Sequence, residues 1–168
     1  FAPGPRGLLI PKDRLEAIYD LQPILHLNEL EAKAFSACEE IPEAAKKLHQ
    51  RTGQLVVVTL GEKGAIAYDG NWYEAAGIQT EVLDTVGAGD SHLGAFLVAS
   101  LQGLDVEEAL TFANRLASKV VATRGVHLEC HHYHALEQEL NQLFQSKESV
   151  TEIGHSLEFD FVVPPPHS

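Results

Sequence analysis

The chain has 168 residues, 45% of them hydrophobic and 21% charged, with a formal net charge of −12. That length suits one domain with a real core; the acidic balance argues against a nucleic-acid backbone as partner, and no apolar run reaches the roughly 20 residues of a membrane helix. No secretory pattern opens the chain, and two cysteines, Cys38 and Cys130, make no disulfide framework, so a reducing cytoplasm is the expected compartment.

In chain order, Phe1 to Pro11 reads as a Pro/Gly-rich loop. Lys12 to Leu21 has helical spacing at Leu15, Ile18 and Tyr19. Ile24 to Leu27 reads as a buried strand, and Asn28 caps a helix over Glu29 to Phe35. Pro42 to His49 forms another helix, closed by Gly53. Leu55 to Leu60 is a β-branched run suited to a strand covered on both faces. A turn at Gly61 to Gly64 leads into a hairpin, Ala65 to Tyr68 and Trp72 to Ala75, around Asp69-Gly70-Asn71. Thr80 to Leu83 reads as one more short strand. An apolar helix then runs to about Leu101, Asp105 caps a helix to about Thr123, and Tyr133 to Phe144 forms a third with a stripe at Leu136, Leu140 and Leu143. The remainder is irregular, with one strand-like run from Leu157 to Val163. Strands alternating with helices predict an α/β layered fold.

The segment Asp84 to Phe96, DTVGAGDSHLGAF, is the most informative. Gly87 and Gly89 at a helix start leave backbone N–H groups unobstructed, the arrangement that binds anions at helix N-termini. Asp90, in the same turn, is poorly suited to holding phosphate. It is well suited to taking a proton from a hydroxyl held beside one. An acidic protein needs such local donors, or metal ions, to hold an anionic ligand such as ATP. Taken alone, a GxGD run is also an ordinary helix start with an acidic first turn.

The extended run resembles the C-terminal signature of the ribokinase, or PfkB, family of carbohydrate kinases. Asp84, Thr85, Gly87, Ala88, Gly89, Asp90, Gly94, Ala95 and Phe96 all fit it. His92-Leu93 stands where the family often has Phe-Asn, and His92 either touches substrate or packs. Phe1 to Arg6 resembles a family Pro-x-x-Arg strand end. Asn28-Glu29-Leu30-Glu31 resembles the Asn-x-x-Glu motif that organises Mg²⁺ through water. The same spacing is also a capping box, and both readings stand. Thr59 to Gly64 resembles the family's Thr-x-Gly-x-x-Gly beside the nucleotide, and by itself reads equally as a tight hairpin. Asn114 matches a position near the adenine, and Gly125 follows at the family's spacing. The resemblance further implies a monovalent cation, K⁺ for example, near Asp84, Val86 and Arg124-Gly125.

The resemblance implies a ribokinase-like sheet with helices on both faces. Residues 1–125 would form the C-terminal part of the kinase domain and 126–168 its last helix and tail. The family's N-terminal half supplies further strands, a lid and most substrate contacts. The implied activity is transfer of the ATP γ-phosphate to a hydroxyl of a sugar or nucleoside. Asp90 would be the base and the Gly87, Ala88, Gly89 and Asp90 N–H groups the anion hole. Asn28 and Glu31 would position Mg²⁺, and Thr59, Gly61, Gly64 and Asn114 would flank ATP. Pairing through the lid makes a homodimer the candidate assembly. Two other functions fit the same residues: a non-catalytic nucleotide- or sugar-binding regulator, and a vitamin-precursor kinase, although the latter tend to carry Cys in place of Asp90. A metal module at His127, Cys130, His131, His132 and His134 is a further reading, set against solvent-facing residues at a helix start.

Overall fold

Val56, Val57 and Val58 are each fully buried, and they point alternately into two different cores. Period-two alternation makes this segment a strand without a solvent face, which requires cover on both sides. The structure is a computed structural model and describes residues 1–4, 6–123, 134, 135, 137–143 and 145.

Four strands form one sheet in the order β1 (Leu25–Asn28), β2 (Val56–Thr59), β3 (Gly64–Tyr68) and β4 (Trp72–Ala76). β1 and β2 are parallel; β3 and β4 follow antiparallel. The crossover from β1 to β2 carries α2 (Glu29–Ser36) and α3 (Ile41–Thr52). With α1 (Lys12–Asp20), these cover one face, where Leu25, Leu27, Val56 and Val58 meet Ala44, Ala45 and Leu48. α4 (Ala88–Leu101) and α5 (Val106–Val121) cover the other, where Val57, Ala65, Ala67 and Ala75 meet Phe96, Leu110 and Ala113. Each fully buried Val or Leu contributes about 1.5–3 kcal/mol. The expected layered α/β sheet with helices on both faces is the architecture found.

Local chemistry explains most boundaries. Asn28 and Asp105 each accept the N3 amide of the helix they start, while Glu31 and Glu108 return the bond to the cap's own N–H. A cap of this kind is worth about 1 kcal/mol. Gly53 closes α3 in the left-handed region at φ 68°. Gly64 is more constrained. It has φ 101°, and a Cβ there would sit 2.1 Å from the Ala75 carbonyl oxygen. Only glycine lets β3 start that close to the end of β4.

Some expectations differ. Thr80 to Leu83 is not a strand. Leu83 and Asp84 instead donate their N–H groups to the Val121 carbonyl, at 2.8 and 3.2 Å. The last carbonyls of a helix lack an internal partner, and this segment supplies one for α5, which ends at Val121 rather than Thr123. Cys38 is half-buried, and Trp72 is exposed, its ring tilted 43° against that of Tyr68 with centroids 4.6 Å apart. α4 is apolar on nearly every side, and its outer residues Leu97, Val98 and Leu101 are exposed. Residues 134, 135, 137–143 and 145 are helical, with Leu140 in the second core and an Arg115–Glu139 ion pair back to α5. Tyr133, Leu136, Phe144 and the run Leu157 to Val163 lie outside the described residues.

One buried polar line crosses the second core. His26 of β1 and His92 of α4 are 7% and 3% exposed. His26 Nε2 lies 2.8 Å from His92 Nδ1, and His92 Nε2 lies 3.1 Å from Asn114 Oδ1. The Asn114 amide donates to the carbonyls of Ala75 and Ala76, at 2.9 and 3.1 Å. Burial lowers both imidazoles, His26 to about 3 with the neighbouring His92 adding to the effect, and His92 to about 4.

Two outcomes are expected. The unfolded chain protonates these histidines near their ordinary value of 6.5, whereas the folded chain keeps them neutral. Stability should therefore be flat above pH 6.5 and fall as pH drops from 6.5 toward 4. Melting temperatures between pH 7 and 5 check this, and the double replacement His26→Val with His92→Phe should flatten the slope. Separately, Gly64→Ala should cost about 3 kcal/mol or more in denaturant unfolding, since strain and clash add. Gly53→Ala, with open space around its Cβ, should cost about 1–2 kcal/mol.

Candidate active site

The parallel strands β1 and β2 end side by side, with Asn28 and Thr59 in register. In α/β sheets, ligands gather outside the carboxyl ends of such strands. Thr59 Oγ1 donates to the Leu27 carbonyl at 3.4 Å, tying the two strand ends together. Beyond Thr59, Gly61 turns at φ 61° and a short 3₁₀ turn, Gly61–Lys63, leads into β3. The Gly77 N–H returns to the Lys63 carbonyl at 3.0 Å. A Cβ on Gly77 would sit 2.0 Å from the Glu62 carbonyl oxygen, so the two loops touch backbone to backbone.

These loops form one side of a cavity of about 730 Å³, within the range of small-molecule sites. Thr59, Gly61 and Gly64 line one end. Ile78, Val82, Ala117 and Val121 supply an apolar wall, and Gln79, Thr80 and Ser118 supply hydrogen-bonding groups. Asn114 and His92 line it as buried residues, while the exposed Thr85 and Gly89 and the half-buried Ala88 mark its open side, the mouth. Among the described residues no Lys or Arg lines it, and Glu62 and His92 are the ionisable ones.

The mouth is the N-terminus of α4. Gly87 is its N-cap at φ 79°, and no side chain caps the helix. First-turn amides have no partner within a helix, so Gly89 and Asp90 present theirs outward. A Cβ on Gly89 would meet no atom within 4 Å. Internal packing therefore does not demand glycine there; its smallness leaves room at the helix mouth. Asp90 stands in the first turn, exposed, and accepts no hydrogen bond from a described residue.

Asn28 and Glu31 do not line the cavity. They form the capping box of α2: Asn28 Oδ1 accepts the Glu31 N–H and Glu31 Oε2 accepts the Asn28 N–H, each at 2.9 Å. Glu31 is 5% exposed, and its other oxygen, Oε1, is buried without a hydrogen-bond partner among the described residues. A buried, unpartnered carboxylate oxygen is costly unless something pairs with it, so this atom suits an ordered water or a hydrated cation. Asp84 is half-buried; its Oδ1 accepts the Val86 N–H at 2.9 Å. Arg124, Gly125, His127, Cys130, His131 and His132 lie outside the described residues. His134 is exposed, 3.7 Å from Glu137.

Sequence reading named Thr59, Gly61, Gly64, Ala88, Gly89 and Asn114, all of which border the cavity, together with Gly87, Asp90 and Asp84, which are not among its lining residues. It missed the wall from Gly77 to Val82. The signal that could have found it was Gly77 after the hairpin, a glycine with no turn to explain it. His26 was missed as well, hidden in an apolar run that reads as plain core.

A family profile, pfkB family carbohydrate kinase, matches residues 4–131. The chain is 33% identical over 117 residues to a cytidine kinase of Thermococcus kodakarensis, covering 68% of this chain and 42% of that protein. It superposes on Arabidopsis thaliana ribokinase complexed with ribose and ATP at a TM-score of 0.62 and 33% identity, over 66% of this chain and 38% of that one. Thermotoga maritima ribokinase superposes at 0.70 and 27%, over 82% and 48%. The chain thus spans less than half the length of these relatives, and its sheet, covered on both faces, is the ribokinase fold. It belongs to the pfkB family of carbohydrate kinases.

Proposed function

We propose that this chain carries the nucleotide-binding and phosphoryl-transfer part of an ATP-dependent kinase whose acceptor is a hydroxyl of a sugar or nucleoside. The observation that carries the reading is the cavity whose mouth is the uncapped start of α4, with Asp90 in the same turn. Phosphoryl transfer asks the protein mainly for positioning and charge stabilisation. Asp90 takes the proton from the acceptor hydroxyl as its oxygen attacks the γ-phosphorus. The bond to the β-phosphate oxygen breaks and ADP leaves. The N–H groups of Gly87, Gly89 and Asp90 hold charge on the transferring group, while that of Ala88, also expected from the sequence, is donated to the Thr85 carbonyl at 3.3 Å. Thr59, Gly61 and Gly64 flank the nucleotide on one side, and Asn114 bounds it from within.

With no Lys or Arg among the described lining residues, backbone amides and a metal are the groups assigned to meet phosphate charge. Mg²⁺ keeps several waters and takes few carboxylates, which suits Glu31 Oε1 acting through water with Asn28 beside it. When bound, Mg²⁺ would neutralise phosphate charge. Asp84 is the candidate residue for a monovalent cation such as K⁺. The cytoplasm is the candidate compartment and a homodimer the candidate assembly. The acceptor class is drawn from the relatives, whose names include a cytidine kinase and a ribokinase.

In the full-length protein, Asp90→Asn should reduce turnover by about 10³-fold or more, in line with loss of a general base. ATP affinity should change less than about threefold, because the backbone donors stay in place. ADP production against a panel of sugars and nucleosides with Mg²⁺, alongside calorimetric ATP titration, checks both. Wild-type turnover in the variant would remove Asp90 from the role of base. ATP binding without turnover on any acceptor would favour a regulator. Glu31→Gln keeps a residue able to complete the capping box but removes the charge. It should raise the Mg²⁺ concentration for half-maximal rate about tenfold without moving the melting temperature; an unchanged Mg²⁺ requirement would leave Glu31 with the cap alone.

A further inference from the structure

We propose that His92 is a positioning residue of the phosphoryl-transfer site, holding the first turn of α4 in register with the nucleotide cavity through a hydrogen-bonded line that runs from β1 to β4. The proposal rests on the nucleotide reading of the cavity given above.

The line has a defined direction. Asn114 spends both amide hydrogens on the carbonyls of Ala75 and Ala76, which turns its oxygen toward His92. His92 Nε2, 3.1 Å away, must then be the donor. A neutral imidazole has one donor and one acceptor, so His92 Nδ1 accepts, and His26 Nε2 at 2.8 Å donates to it. Each step fixes the next, and neutral groups satisfy all of them. The two rings lie 5.0 Å apart at 46°, a tilt set by the bond rather than by stacking.

What the line joins gives it a function. His92 is two residues beyond Asp90, on the same helix whose start forms the cavity mouth, and its ring borders the cavity itself. His26 is two residues before Asn28, which opens the box containing Glu31. Asn114 grips the last two residues of β4, and the chain leaves that point directly into the Gly77 to Thr80 wall. A shift of the His92 ring is therefore passed to the anion-holding turn, the strand end before Glu31 and the nucleotide wall. Phenylalanine would fill the same space but could neither accept from His26 nor donate to Asn114.

The test uses the full-length protein with His92→Phe and His92→Gln, the glutamine amide being able to accept from one neighbour and donate to the other. His92→Phe should raise KM for ATP about tenfold and lower kcat by about 10- to 100-fold, the scale of a misplacement remote from the reacting atoms. KM for the acceptor should stay within about twofold, and His92→Gln should return both ATP parameters to within about threefold of wild type. ATP parameters unchanged in His92→Phe, or a glutamine variant as impaired as phenylalanine, would reduce His92 to packing. Nitrogen-15 shifts of the wild-type ring need no folded variant: protonation at Nε2 alone at pH 7 is expected, and the other tautomer overturns the line. Asp90→Asn is titrated with ATP in parallel. If it binds no nucleotide, the cavity reading fails; if it binds and His92→Phe binds equally tightly, the failure belongs to His92.

Discussion

Strand β2 has no solvent face, and the placement of the site follows from that. Its three valines are fully buried, Val56 and Val58 in the core shared with α3 and Val57 in the core shared with α4 and α5. Burying both sides of one strand sets a helical layer on each face of the sheet. It also leaves the end of β2 as a direction in which the backbone can open toward a ligand. Parallel pairing with β1 brings Asn28 beside Thr59 at that end. Antiparallel β3 and β4 then return the chain past the same edge, close enough that Gly64 and Gly77 cannot carry a Cβ without collision. The cavity is thus a consequence of sheet order and of two glycines.

Charge shapes what the cavity can hold. A chain of net charge −12 repels a polyphosphate at long range, and the described residues of the cavity lining include no Lys or Arg to offset this. Favourable potential at the mouth comes from oriented backbone, the start of α4 at Gly87 to Asp90, equivalent to a fraction of an elementary charge. Such a source is short-ranged and geometrically strict. It rewards a group placed within a turn of the helix end and little else, which makes the alignment of α4 against its neighbours a functional matter. The His26–His92–Asn114 line is the polar contact that sets that alignment inside an otherwise apolar core.

Much of this was legible in the sequence, for identifiable reasons. The run from Asp84 to Phe96 places its glycines and its acid in adjacent positions, so one reading captures a whole turn of the site. The strands and helices announced themselves by period and by caps such as Asn28 and Asp105. The segment from Gly77 to Leu83 was not legible, because the N–H groups at its two ends go to the carbonyl of Lys63 and the last carbonyl of α5. Those contacts leave no side-chain pattern, and β-branched residues there imitate a strand. His26 was hidden for the opposite reason: in a strand buried on both faces, a polar residue with a partner on a distant helix occupies an ordinary apolar position.

The two capping boxes show where a motif stops and its surroundings take over. Asn28-x-x-Glu31 and Asp105-x-x-Glu108 have the same spacing and make the same reciprocal bonds, within 0.1 Å of each other, at 2.9 and 3.0 Å. By spacing they are equivalent helix starts. Burial separates them. Glu108 is half-buried at the start of α5, where water can reach its carboxylate. Glu31 is buried at the carboxyl end of a parallel strand, with Oε2 used by the cap and Oε1 left without a hydrogen-bond partner among the described residues. A helix cap alone would be served as well by an exposed glutamate, and the buried oxygen adds a desolvation cost the cap does not need. The simplest source of compensation is a ligand on the far side of that oxygen. A cap and a hydrated cation are therefore compatible readings of Glu31: one oxygen holds the helix, and the other is left for a water or a cation.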